Sequence, residues 1–194
     1  FGPLDAYALT LTRWGTIAGI APEVHPTLWA FVEQVALGEL PCPLCLLQRA
    51  GLIAVGLGFL LNVRFGIHPI HYGIALFGAL VGAATSARQI LLHIAPSDPG
   101  YSNTVWGFHL YTWSFITFVC IMLGIALLLC FNPKNYNERP LSTRTAGLVS
   151  IAFLLIVVAN LLSTLLECGL TQCPDDPTRY LWLDELYRLL GQKR

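Results

Sequence analysis

The chain has 194 residues, 55% of them hydrophobic and 11% charged, with eleven basic residues balancing eleven acidic ones. So little charge cannot cover a soluble surface of this size, which points to a single integral membrane domain over residues 1–194. Zero formal net charge and only two lysines exclude the basic footprint of a nucleic-acid-binding protein.

No cleavable targeting signature precedes the first apolar segment, and the first residue is Phe1 rather than Met. Residues 13–38 predict a first crossing, interrupted at Ala21-Pro-Glu-Val-His-Pro26. Two prolines kink or break a helix, and Glu23 and His25 at membrane depth need protein or water around them. The alternative is two shorter pieces, the first interfacial or re-entrant.

Leu40-Pro-Cys-Pro-Leu-Cys-Leu-Leu-Gln-Arg49 then opens a second crossing at 46–63. Pro41 and Pro43 suit only the start of a helix, where a missing N–H is tolerated. Cys42 and Cys45 therefore occupy a first turn whose free N–H groups favour a thiolate. Arg49, four residues beyond Cys45, shares their face. The Cys-x-x-Cys spacing alone fits a redox pair, a structural disulfide or half of a metal site. Gly51, Gly56 and Gly58 in this crossing allow close helix packing.

A hydrophilic turn at 62–69 leads into a third crossing, 70–92, whose far end carries Thr85, Ser86, Arg88, Gln89 and His93. Ser86, Gln89 and His93 share one face. Ile94–Gly107 is a cysteine-free loop with Pro96, Pro99 and Gly100, and Trp106, Tyr111 and Trp113 mark the membrane interface. The fourth crossing, 108–130, contains Cys120 and Cys130, read as small apolar packing residues. Asn132–Arg144, with Lys134, Arg139 and Arg144, is the most basic loop and predicts the cytoplasmic side.

The fifth crossing, 145–167, presents Asn160, Ser163, Thr164 and Glu167 on one face, for interhelical hydrogen bonds or for a ligand. Cys168 and Cys173 follow it, and the tail 174–194 predicts an amphipathic surface helix near 178–190. The expected fold is thus an all-α, polytopic transmembrane bundle of about five crossings, the first kinked or broken, with a C-terminal interfacial helix. Counting crossings puts both cysteine pairs on one side, opposite the basic loop. Basic residues in the tail argue against that orientation, but the loops between crossings take precedence. Both pairs then face the oxidising exterior.

Two dithiol pairs on an oxidising face suggest a thiol–disulfide relay, one pair exchanging with a soluble partner and the other passing electrons onward. With no haem or flavin signature, a quinone entering from the bilayer is the economical acceptor. Arg49 is placed to bind an oxygen that becomes negative, and His93 or Arg88 to polarise the ring or supply protons. For each of the three the ordinary alternative is a polar residue at a helix end.

Cys42-Pro-Leu-Cys45-Leu-Leu-Gln48-Arg49, with Gly107–Trp113 and Glu167–Pro177, resembles the bacterial disulfide-bond-formation protein B family over residues 30–185. These are membrane thiol:quinone oxidoreductases that reoxidise a periplasmic thioredoxin-like dithiol oxidase. The resemblance implies a bacterial inner-membrane protein and a quinone, ubiquinone or menaquinone. It implies catalytic roles for Cys42, Cys45, Cys168 and Cys173: Cys45 contacts the quinone and Cys42 exchanges with the second pair. Arg49, with Gln48, His93 and Arg88, forms the expected quinone-binding set. Two features depart from the family: well-known members have four crossings with the second pair between the third and fourth, and the Pro22-to-Pro26 interruption is unusual. A vitamin K epoxide reductase-like enzyme and an accessory subunit stapled by inert disulfides are the competing readings.

Overall fold

The computed structural model describes residues 40–96, 98, 100–101, 104–130, 143–169, 173 and 180–189. The predicted first crossing at 13–38, with its proline interruption, and loop residues 131–142 lie outside the described residues, as do tail residues 174–179 and 190–194. Four described helices are long and apolar enough to cross a membrane. They are α1 (Pro43–Phe65), α2 (Pro69–Leu92), α3 (Leu110–Cys130) and α4 (Thr143–Cys168), and a short α5 (Leu181–Leu189) follows. The protein is a helical, polytopic membrane bundle.

Helix α1 starts three residues before the apolar run because Cys42 caps it. Cys42 is extended (φ −69°, ψ 161°), its Sγ accepts from the Cys45 N–H, and Pro43 takes the first helical position. The helix ends at Gly66, whose φ of 94° is a left-handed conformation open to glycine, with its N–H on the Asn62 carbonyl. His68 then caps α2 by accepting from the Ile70 N–H, again with a proline next in line. Asn62 braces this turn: its Oδ1 accepts from the His68 N–H at 3.1 Å and lies 2.9 Å from His71 Nδ1.

The antiparallel α1–α2 pair is the tightest contact in the bundle. A Cβ at Gly58 would stand 2.8 Å from the Ala75 backbone N, and one at Gly78 would stand 2.9 Å from that of Val55. Glycine at both places lets the backbones touch, which is how helices associate where water supplies no hydrophobic drive. Val55, Phe59, Tyr72, Ala75 and Ala79 form the seam, and α3 adds Phe118, Ile121 and Ile125. The Phe118 ring lies directly over Gly82.

Between α2 and α3 the expected loop contains a hairpin, Thr104–Val105 (β1) paired with Phe108–His109 (β2). Trp106 and Gly107 form its tip with φ of 53° and 82°, the two left-handed positions of a tight primed turn. Helix α3 therefore begins at Leu110, two residues after the predicted start of that crossing. Trp113 donates its indole N–H to the Val105 carbonyl at 2.9 Å and meets Trp106 and Phe108 edge to face. Cys120 and Cys130 are exposed on α3. They lie on the outer surface of the bundle rather than in its packing, because the core-facing positions of α3 are taken by Phe118, Ile121 and Ile125.

Helix α4 packs on the other flank of α1 and carries α5 at its end. Leu148, Ile151, Leu154, Leu155 and Leu161 are exposed along α4, the surface a lipid-facing helix presents. It stops at Gly169 (φ 66°), whose N–H bonds the Leu165 carbonyl. In α5, Tyr180 at the entry, Leu183 and Tyr187 are half-buried, while Glu185 and Arg188 are exposed, as an amphipathic helix on a surface requires.

Candidate redox site

The N-terminal turn of α1 brings the first cysteine pair together. Cys42 and Cys45 are not disulfide-bonded, and their Sγ atoms lie 2.6 Å apart. The Cys45 N–H donates to Cys42 Sγ at 3.3 Å, the capping bond that an N-terminal thiol can accept. Cys42 is buried. The hydrogen bond shared with Cys45, and then burial, hold its thiol well above the ordinary range. The Cys45 N–H and the Gln89 amide work against that effect without overcoming it.

Gln89 of α2 supplies the second wall. Its Nε2 lies 3.3 Å from Cys42 Sγ and 3.7 Å from Cys45 Sγ, and its Oε1 accepts from Gln48 Nε2 at 2.7 Å. Both glutamine side chains are buried, and together they fix the amide against the sulfurs. From the loop between α2 and α3, the Tyr101 hydroxyl donates to the Leu40 carbonyl, just before the cysteine turn.

On the α4 side, Arg49 is buried at 7% exposure. Its guanidinium interacts electrostatically with Cys45, with Glu167 of α4 and with Tyr180 at the entry to α5. Glu167 is 1% exposed, and neither carboxylate oxygen has a hydrogen-bond partner among the described residues. Cys168, next in the chain, forms a disulfide with Cys173 across a Cα separation of 4.7 Å. A groove of about 540 Å³ separates α1 from α4, lined mainly by Pro43, Leu46, Leu47, Ala50, Ile53, Val157 and Leu161, with Asn160, Thr164 and Cys173 as its sulfur and polar members. Pro43 and Cys173 on one groove place the two cysteine pairs at the same end of the bundle. Asn160 Oδ1 is buried there without a partner among the described residues.

The structure thus gathers Cys42, Cys45, Gln48 and Arg49 in one place, with the Cys168–Cys173 disulfide alongside. Arg88 is exposed on α2. His93 sits at the C-cap of α2, with Nδ1 3.1 Å from both Asp98 carboxylate oxygens and its ring stacked on Tyr111. Of the polar face that contains Ser86, Gln89 and His93, Gln89 is the member that reaches the sulfurs. The shared spacing was visible in the sequence, but not which member met the cysteines. No group of three or more His, Cys, Asp or Glu side chains among the described residues is arranged to hold a metal ion.

The fold and site together define a multi-pass helical membrane bundle that seats an unbonded Cys-x-x-Cys and a disulfide at one end. Residues 12–103, just under half of the chain, match the family model described as disulfide bond formation protein DsbB. Disulfide bond formation protein B of Chromobacterium violaceum is 42% identical over 74 residues, which are 36% of this chain and 45% of that protein. The protein of the same name from Pseudomonas syringae pv. tomato is 37% identical over 73 residues, 36% of this chain and 43% of the relative. The chain thus spans less than half the length of these curated relatives. No solved structure matches it.

Proposed function

We propose that the chain is a protein-dithiol:quinone oxidoreductase of the bacterial inner membrane, oxidising a periplasmic thioredoxin-like dithiol protein. The family match supports a quinone-linked thiol oxidase, and the observation that carries the reading is the placement of Cys173 on the groove that begins at Pro43, beside Cys42. Electrons from the soluble dithiol enter at Cys168–Cys173, pass to Cys42 and Cys45, and leave to the quinone. Each transfer is an attack of a thiolate on a disulfide sulfur through a mixed disulfide, so both pairs alternate between the two states that the structure displays.

The residues present fit a quinone. The groove is apolar and lies between two membrane-spanning helices, and Asn160 offers a buried amide oxygen with no partner among the described residues, an acceptor for a hydroxyl of the reduced quinol. Arg49 provides the buried cation. A bound quinone supplies an acceptor for two electrons and two protons. Leu46, Leu47, Ala50 and Leu161 would hold its apolar part, while Arg49, with Gln48 positioned beside it, would hold the polar head near Cys45. Arg49 stabilises negative charge developing there, at a depth where a cation acts strongly. Gln89 keeps the two sulfurs in register by donating toward both. Arg88 and His93 belong to the same end of α2, and we assign them the supply of protons from the exterior to this site.

The test is quinone reduction by the purified chain with a thioredoxin-like dithiol donor. Cys45→Ser is expected to abolish it, and Arg49→Ala to lower quinone turnover by about 10²-fold while exchange with the donor survives. Cys168→Ser is expected to trap an inter-pair or donor mixed disulfide on nonreducing mass spectrometry. If no cysteine changes state when donor or reduced quinone is supplied, the pairs are inert staples and the reading fails.

A further inference from the structure

Glu167 is a buried carboxylate, and it sits where the proposed relay must move protons. Its neighbour in sequence is Cys168, 3% exposed, and Cys42 of the other pair is 6% exposed. Thiol–disulfide exchange between such sulfurs has a requirement that electron flow alone does not meet. The attacking thiol must lose a proton and the departing thiolate must gain one, in a place from which bulk water is largely excluded. Glu167 has both oxygens free of hydrogen-bond partners among the described residues, so it holds no evident bracing role that would engage them.

The groups that face Glu167 from packed elements are few. Helix α1 presents Arg49 and Cys45, both of which interact electrostatically with the carboxyl group. Tyr180, at the entry to α5, interacts with the same guanidinium. Helix α4 itself has no other ionisable side chain between Arg144 and Cys168. A carboxylate beside one cation and within the field of a redox sulfur changes its charge balance each time that sulfur gains or loses a proton. A counter-ion fixed in a salt bridge would instead be saturated with hydrogen bonds.

We propose that Glu167 is the proton carrier between the two cysteine pairs, with Arg49 setting its charge; this rests on the relay reading above. The step balances as follows. A thiol of the reduced 168/173 pair gives its proton to the Glu167 carboxylate, and its sulfur attacks the 42–45 disulfide. The 42–45 bond breaks, a mixed disulfide forms, and the electron pair leaves on the displaced inner sulfur, which takes the proton from Glu167. The second outer thiol repeats the transfer: its sulfur closes the 168–173 bond, the mixed disulfide breaks, and the second inner sulfur leaves and is protonated. Two electrons and two protons pass inward, and Glu167 returns to its starting charge.

The experiment uses the full chain in lipid nanodiscs with both pairs oxidised, mixed with one equivalent of a thioredoxin-like dithiol protein, acid-quenched and alkylated. Mass spectrometry reads the rate at which thiols appear at Cys42 and Cys45 across pH. Glu167→Gln is expected to slow that rate about 10²-fold below neutral pH and to leave it rising in proportion to hydroxide. Glu167→Asp is expected to keep the parental profile at a reduced rate. In the parent, infrared difference spectra on electron loading should show a carboxyl C=O change that Glu167→Gln removes. A glutamine variant with the parental rate and pH profile overturns the proposal, whatever its stability. If that variant does not fold, absence of the carboxyl change in the parent overturns it equally. A parent chain in which the donor never produces thiols at Cys42 and Cys45 overturns the relay itself, and is told apart because the parent, not the variant, is silent.

Discussion

Helix α1 has two flanks that solve opposite problems. Toward α2 the backbones touch through Gly58 and Gly78, and the seam is filled by Val55, Phe59, Tyr72 and Ala75. Toward α4 the contact is looser, a groove of about 540 Å³ remains, and Asn160 and Glu167 keep polar oxygens without partners among the described residues. A close-packed flank transmits position and leaves no room for a ligand. The other flank holds polar groups in reserve, at a penalty that a purely structural interface would not carry. The first flank is the scaffold that fixes the cysteine turn, and the second is where chemistry has room.

The sharpest way to break this comparison is to add atoms to each flank. Gly58→Val places a side chain 2.8 Å from the Ala75 backbone N, and the expected loss is about 3 kcal/mol, the upper end for overpacking. Gly73→Ala, on the same helix pair but with nothing within 4 Å of its new Cβ, should instead stabilise by about 0.5–1 kcal/mol through helix propensity. Reversible unfolding in mixed micelles measures both. On the groove flank, Ala50→Phe adds its side chain to a groove that has room for it, so the melting behaviour should hold while the KM for quinone rises about tenfold, roughly 1.4 kcal/mol of binding. Equal stability losses at residues 50 and 58 would erase the distinction between the flanks.

The next effect in size belongs to the amide pair. Gln89→Leu leaves the buried Gln48 Nε2 without its acceptor and should destabilise by about 1–3 kcal/mol. Adding Gln48→Leu should recover part of that loss, because two apolar side chains leave no orphan. The thiol pair then loses only the donor that Gln89 directed at it. A double-mutant cycle read by both unfolding and the Cys42/Cys45 redox equilibrium separates support from chemistry. Strictly additive losses would mean that the two glutamines do not act together.

What the sequence disclosed follows from the range of each interaction. The four crossings among the described residues were legible because hydropathy is a property of a contiguous segment, and the cysteine turn because Pro43 and the 42/45 spacing are local. The 160/164/167 stripe was legible as a periodicity. That Glu167 would share an electrostatic neighbourhood with Arg49 was not, since the two residues are far apart in the chain and only the packing of α4 on α1 joins them. Gln89 was placed on a polar face, yet an amide has no spacing signature that names a sulfur as its neighbour. The hairpin at 104–109 escaped notice because its tip is Trp106-Gly107, and tryptophan is not a residue whose presence suggests a left-handed turn position. His93 was the candidate of that face and Gln89 was not, yet the helix end turns His93 toward Asp98 and it is Gln89 that meets the sulfurs.

The smallest effect lies outside the membrane segments, where the same comparison predicts independence. Asp98 accepts from the Gly100 N–H at 2.8 Å and faces His93 Nδ1. The backbone hydrogen bond first, and then the bond to His93, hold its carboxyl below the ordinary range. A carboxyl whose folded value is depressed adds stability that is present above its unfolded value, near pH 3.9, and is lost as pH falls through the still lower folded value. Asp98→Asn should therefore raise hydrogen exchange at the Gly100 amide at neutral pH, with the difference from the parent shrinking under acid. Because the loop lies beyond the α1–α2 seam and the α1–α4 groove, global unfolding should not move measurably. A change in the cysteine rate with this substitution would show that the His93 cluster is coupled to the sulfurs. It would also strengthen the proton-supply role assigned to His93, which the geometry of Gln89 alone does not require.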